Sequence, residues 1–161
     1  MAYPINFDFP KPFSIDDAGM YTDVLDMDNN PNHVLECGQP WKVVVKWFLK
    51  GPAVPYLGGK WHVTLLAESM GKSGPPDFEG EVMTPVHLMW EKGTLDLAKK
   101  EIHFELTIDI PPVDPVKHLH YLPAGIYKLV TAVTYENEFG KTLHMAGFAE
   151  HPVVQFYQPE D

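Results

Sequence analysis

Apolar and polar side chains alternate along several stretches of this chain. Trp41, Val43, Val45, Trp47 and Leu49 share one parity, against Lys42, Val44, Lys46, Phe48 and Lys50 on the other. Trp61, Val63, Leu65 and Ala67 likewise oppose His62, Thr64, Leu66 and Glu68. The cleanest case sets Ile102, Phe104, Leu106, Ile108 and Ile110 against Glu101, His103, Glu105, Thr107 and Asp109. Successive side chains of a strand point to opposite faces, so a period of two predicts strands with one face buried and one wet. That is the habit of an antiparallel sheet solvated on one side.

Ile126 to Tyr135 is a mostly apolar, β-branched run and is predicted to be a central strand covered on both faces. Asn137 to Gly140 turns the chain into a strand over 141–149, which His151-Pro152 interrupts before Val153 to Tyr157 resumes it. Weaker strands are predicted over 21–27 and 81–89. Leu95 and Leu97 precede the 101–110 strand, with Lys99-Lys100 between. A tight hairpin fits there, a helical turn over 94–99 being the alternative. Gly71 to Pro76 reads as an exposed loop. About eight short strands punctuated by Gly and Pro, with no convincing helix, predict an all-β sandwich or barrel. Residues 1–19 form an extended arm in which Tyr3, Phe7, Phe9 and Phe13 alternate with prolines. A solvated tail is seldom so aromatic, so the arm is expected to lie on the domain of residues 20–161.

The segment Pro123-Ala124-Gly125-Ile126-Tyr127-Lys128-Leu129 resembles the start of strand F in immunoglobulin-like domains. There a tyrosine near the strand's start closes a corner through its hydroxyl. The resemblance implies an immunoglobulin-like antiparallel sandwich of about seven to eight strands over residues 21–157. It also implies that Trp61 is the core tryptophan of strand C. Leu129 would replace the second cysteine of antibody domains, and Val45 or Trp47 the first. A fold of this kind hosts many unrelated activities, so the resemblance implies no function.

The composition, 45% hydrophobic and 21% charged, is that of a folding domain. The formal net charge is -10, and every basic residue is lysine. Without arginine there is no bidentate fork for phosphate or guanine, which argues against nucleic acid and anionic membranes. The N-terminus lacks the basic and apolar regions of a signal peptide, and no apolar run approaches the ~18 residues of a membrane helix. A soluble, cytoplasmic protein is the expectation. The single cysteine, Cys37, excludes an intrachain disulfide and lies in no activating motif.

Catalytic signatures are missing. Ser14, Ser69 and Ser73 sit in no nucleophile elbow, and no phosphate loop or dinucleotide glycine pattern occurs. Glu101 and Glu105 fit a solvated strand face. No cofactor is expected. His118 and His120 lie on one side of an extended segment and supply two metal ligands, with His103, His144 and His151 as possible thirds. Asp26, Asp28 and Asn30 alternate like the opening of a calcium loop, but Pro31 and Cys37 stand where glycine and glutamate are required. An EF-hand is thereby excluded, a calcium site stitched from loops around Asp26 and Asp28 stays open, and a polar turn explains the same residues. Tyr56 and Trp90, near turns, are candidate stacking platforms for a small apolar or sugar ligand. Val44, Phe48 and Leu66 put apolar groups on the outward parity, and such a face calls for a cover. The N-terminal arm or a second chain would supply it. The resulting expectation is a non-catalytic binding or protein-interaction module, a homo-oligomer or bound to a protein partner. The alternatives are a small-ligand binder, or a metalloprotein or enzyme using His118 and His120.

Overall fold

The computed structural model describes residues 5–6, 15–70, 79–82, 85–112 and 122–160. They form twelve strands: β1 (Ile5–Asn6), β2 (Asp17–Leu25), β3 (Val34–Glu36), β4 (Trp41–Lys50), β5 (Lys60–Met70) and β6 (Glu79–Glu81), then β7 (Val86–Met89), β8 (Thr94–Asp96), β9 (Glu101–Ile110), β10 (Gly125–Glu136), β11 (Thr142–Ala149) and β12 (Val153–Tyr157). Two single-turn 3-10 helices, Val54–Tyr56 and Trp90–Lys92, are the only helices among the described residues. None is long and apolar enough to cross a membrane.

The strands build an all-β sandwich of two sheets. The smaller sheet runs β2-β4-β9-β8, antiparallel throughout. In the larger sheet β10 is the central strand. β5 follows one side of it from Ile126↔Met70 to Glu136↔Lys60. β11 and β12 share the other side, separated at His151-Pro152 as the sequence predicts. β6 and β7 add to the far edge of β5, β1 to β11, and β3 runs parallel to β12.

Period-two alternation becomes inside and outside. Trp41, Val43, Val45, Trp47 and Leu49 of β4 are buried, as are Trp61, Val63, Leu65 and Ala67 of β5. Ile102, Phe104, Ile108 and Ile110 of β9, beside β4, and Tyr127, Leu129, Val133 and Tyr135 of β10, beside β5, complete the core between the sheets. An aromatic cluster joins the sheets: Trp61 meets Trp47 edge-on at 5.7 Å and Phe104 edge-on at 5.6 Å between ring centroids, and lies tilted against Tyr135 at 5.5 Å. Edge-on rings at such separations gain quadrupole attraction beyond area burial.

Tyr127 is fully buried, and its hydroxyl donates to the Pro123 carbonyl at 2.6 Å, the corner anticipated from Gly125-Ile126-Tyr127. Tyr127→Phe should lower stability by about 1 kcal/mol, since a carbonyl loses its donor. A urea midpoint unchanged at constant slope would contradict this assignment.

Four expectations are modified. The 81–89 strand is split into β6 and β7, with Val82 turning inward between them. The expected hairpin joins β8 to β9 at Lys99-Lys100, but through a four-residue turn, in which Asp96 Oδ1 accepts the Lys99 N–H at 3.1 Å and Lys100 has φ 53°. Leu106 is half-buried, because β8 pairs only with Glu101 to His103 and leaves β9 uncovered beyond. β10 is buried along one face, whereas on the other Ile126 is exposed.

Candidate functional site

The outward residues of the two sheets are the ones open to contacts from outside. On the smaller sheet, Lys42, Val44, Lys46, Phe48 and Lys50 of β4 lie between Asp17, Tyr21 and Asp23 of β2 and Glu101, His103, Glu105 and Asp109 of β9. Phe48 stacks on His103 at 5.7 Å and is half-buried, as is Val44. His103 Nε2 lies 2.8 Å from Glu101, whereas the lysine ion pairs here are long and exposed, Lys42–Asp109 at 3.8 Å and Lys46–Glu105 at 3.9 Å. Such pairs contribute little, and the face is a solvated one.

Leu66 is not on that face. It lies on β5 in the larger sheet, opposite Val130 and Glu81, so Val44 and Phe48 belong to one outer surface and Leu66 to the other. Grouping the three as one interface is corrected by sheet membership. Nor do the described residues of the N-terminal arm lie over Phe48: Ile5 and Asn6 pair with Gly147 and Ala146 on the edge of the larger sheet, and Asp17 to Gly19 are part of β2, in register beside Lys50 to Phe48.

The outer face of the larger sheet is the more apolar of the two. One row crosses four strands, Met70, Ile126, Gln155 and Val34, each the register partner of the next. Val153 and Tyr157 of β12 and Phe148 of β11 share this outward parity. The apolar members of this group are 42–52% exposed. Leu66 and the almost fully covered Val130 continue the surface. Lys128 sits within it, 3.3 Å from Glu68 and 3.6 Å from Glu150. The Glu68 hydrogen bond, then the charges of Glu150 and Glu68, hold its ammonium above the ordinary range.

At one end of the sandwich a depression of about 500 Å³ is walled by Leu57 to Lys60, Met89 to Glu91 and the β10–β11 turn. Tyr56 adjoins it and is exposed, so a stacking role there is open to it. Trp90 is not open in this way. It is 8% exposed and stacks on Trp61 at 6.2 Å, while its edges meet Phe104 and Tyr135. The short helix that begins at Trp90 turns the indole into the core, which corrects its reading as an exposed platform. Phe139 at the turn tip, missed in the sequence, is the second exposed aromatic beside this depression. Burial holds the Tyr135 phenol above its ordinary value, so it remains a donor to the Gly58 carbonyl.

Glu136, at the margin of this depression, lies 2.9 Å from His62 Nε2 and 3.3 Å from Lys60 Nζ. The His62 bond, and after it Lys60, hold its carboxyl below the ordinary value of 4.5 against the opposing effect of desolvation. A folded-state value below the unfolded one stabilises the fold above the unfolded value, and that stability is lost as pH falls through the folded value. Glu136→Gln should therefore destabilise at about pH 7, and its urea midpoint should converge on that of the parent as pH falls through the folded-state value. A gap of constant size would rule out this carboxylate as the source.

Asp26 and Asp28 lie on the β2–β3 turn. Asp26 Oδ1 accepts the N–H groups of Asp28 at 2.9 Å and Asn30 at 3.0 Å, and Asn32 Nδ2 lies 3.4 Å from Oδ2. These bonds, Asn30 first, lower its carboxyl below the ordinary range. Among the described residues no three His, Cys, Asp or Glu side chains are grouped to hold a metal. His118 and His120 lie outside the described residues, as do Ser14 and Ser73. Cys37 is buried, its N–H bonded to the Tyr157 carbonyl at 2.8 Å.

No protein-family model matches the chain, and no curated protein matches it in sequence. Among solved structures it is similar to the sporulation control protein Spo0M from Bacillus subtilis, at 9% identity and a TM-score of 0.31. The match covers 88% of this chain and 50% of that one, so the chain spans half the length of Spo0M. A likeness this loose carries no argument about activity.

Proposed function

We propose that the chain is an immunoglobulin-like sandwich acting as a non-catalytic protein-interaction module, with the outer face of its larger sheet as the contact surface. The strand order supports the family reading. β2-β4-β9-β8 corresponds to the A-B-E-D sheet of such domains and β5-β10-β11 to C-F-G. The observation that carries the functional reading is the exposed row of Met70, Ile126 and Val34 with Val153 and Tyr157 beside it. Scattered exposed apolar residues need no explanation, but a contiguous patch on one sheet face marks an interaction surface.

A photo-crosslinking amino acid in place of Ile126, introduced in the source cells, should yield a discrete protein adduct. The same group in place of Tyr21, on the smaller sheet, should not. Val153→Glu should abolish the adduct, because it puts a charge into a dry contact. Equal or absent adducts at both positions would overturn the reading. A second reading, a small ligand at the sandwich end, is supported by Tyr56 and Phe139 beside the depression there. On that reading Tyr56→Ala, rather than Ile126→Glu, removes binding.

A further inference from the structure

We infer that the partner of this face presents a polypeptide surface that is apolar at its centre and carries lysine or arginine at its margins. The inference rests on the proposed interaction surface and adds the chemistry of its occupant. The apolar row from Met70 to Val34 has carboxylates around it: Glu68 beside Met70's end of β5, Glu81 opposite Leu66, Glu36 opposite Tyr157, and Glu150 after β11. Lys128 is the one ammonium group among them on the described strands, and it is already shared between Glu68 and Glu150. The remaining cation of the face, Lys60, lies at the far end of β5 against Glu136. The margin thus keeps an excess of negative charge on a chain whose formal net charge is -10.

Charge decides between occupants. A second copy laid on this face would set acidic margins against acidic margins, and like charges across an interface are repelled. An anionic membrane or nucleic acid meets the same repulsion, and the chain has no arginine to offset it. A basic-margined apolar surface meets both features at once. Its apolar centre covers Ile126, Met70 and Val153, while its cations reach the free carboxylate oxygens of Glu68 and Glu150 without breaking their contact with Lys128.

The probes are two amphipathic peptides of matched length, one of leucine and lysine, the other of leucine and glutamate, titrated into the full chain and followed by backbone amide NMR. The lysine peptide should bind, with shifts centred on β5, β10 and β12, and the glutamate peptide should not. Ile126→Glu should weaken the lysine peptide at least about tenfold although it adds negative charge, whereas Tyr21→Glu on the other sheet should leave it unchanged. Glu68→Gln with Glu150→Gln should weaken binding and flatten its salt dependence. Shifts spread over both sheets, with no effect of Ile126→Glu, would overturn the inference as mere charge attraction. Equal binding of both peptides would overturn the basic margin and leave the interaction surface standing. A concentration-dependent dimer dissolved by Ile126→Glu would overturn it in favour of a second copy. An absent crosslink at position 126 would instead remove the reading on which all of this rests.

Discussion

Trp61→Ala should destabilise the protein by about 3–5 kcal/mol, the largest loss expected from any single side-chain truncation in the core. Trp61 has no exposed surface and touches Trp47, Trp90, Phe104 and Tyr135, so it joins β4 and β9 of one sheet to β10 of the other and holds the short helix at Trp90. Its loss removes the transfer energy of a large ring and leaves a cavity whose walls are themselves stiff rings that cannot collapse inward. For a chain of this size the fall in Tm should be about 10 °C or more. One effect acts the other way. The Trp61 indole N–H is buried with no hydrogen-bond partner among the described residues, so replacement also removes an unsatisfied donor. Trp61→Phe keeps a ring in place and discards that donor, and it should cost much less than the alanine variant. Thermal unfolding of both variants checks this. If Trp61→Ala and Trp61→Phe lie within about 1 kcal/mol of the parent, the ring cluster is not what joins the sheets.

Much of this fold was readable from alternation, because burial on one sheet face imposes a period of two wherever the other face is wet. β4 and β12 begin and end where the pattern does, and β9 differs from expectation only in the cover of Leu106. The tyrosine corner was readable for a different reason: Gly125 and Tyr127 are two residues apart, so the hydrogen bond to Pro123 is a local event. Where expectation and structure part, the cause is non-local. Parity shows that Val44, Phe48 and Leu66 all point outward, but not that β4 and β5 lie in different sheets. Trp90 stands beside a turn in the sequence, and only the approach of Trp61 from β5 makes it a core residue.

The candidate contact surface was hidden by the same dispersion. Met70 sits at the end of an alternating run, Ile126 at the start of an apolar one, and Val34 in a three-residue strand, each ordinary where it stands. They become one row only through the register of β5, β10, β12 and β3, which mixes antiparallel and parallel pairing. The acidic margin is likewise assembled from Glu36, Glu68, Glu81 and Glu150, which no stretch of sequence brings together. Charge totals therefore spoke against polyanions without showing where a basic partner would bind.

Gly59→Ala should be the second most damaging change, and its neighbour shows why position matters more than residue type. Gly59 has φ +102°, outside the conformations L side chains favour, and a Cβ there would stand 2.2 Å from the Glu136 carbonyl oxygen and 2.9 Å from the Asn137 carbonyl carbon. Both are backbone atoms of the β10–β11 turn, so neither can swing aside. Gly59 also offers its carbonyl to the Trp90 N–H at 2.9 Å, which fixes the start of the helix that seats Trp90 on Trp61. The backbone conformation alone should cost about 1–3 kcal/mol, and displacement of the turn adds to it. At Gly58 the nearest atoms to an added Cβ would all belong to the Glu138 side chain, its carboxyl oxygen 1.9 Å away. Glu138 is exposed and can move into solvent, so Gly58→Ala should change stability by less than about 0.5 kcal/mol. Urea unfolding of the two variants side by side separates them. Equal, small losses would mean that the Gly59 backbone relaxes without disturbing Glu136. Equal, large losses would mean that Glu138 is held in place against Gly58 more firmly than its exposure implies.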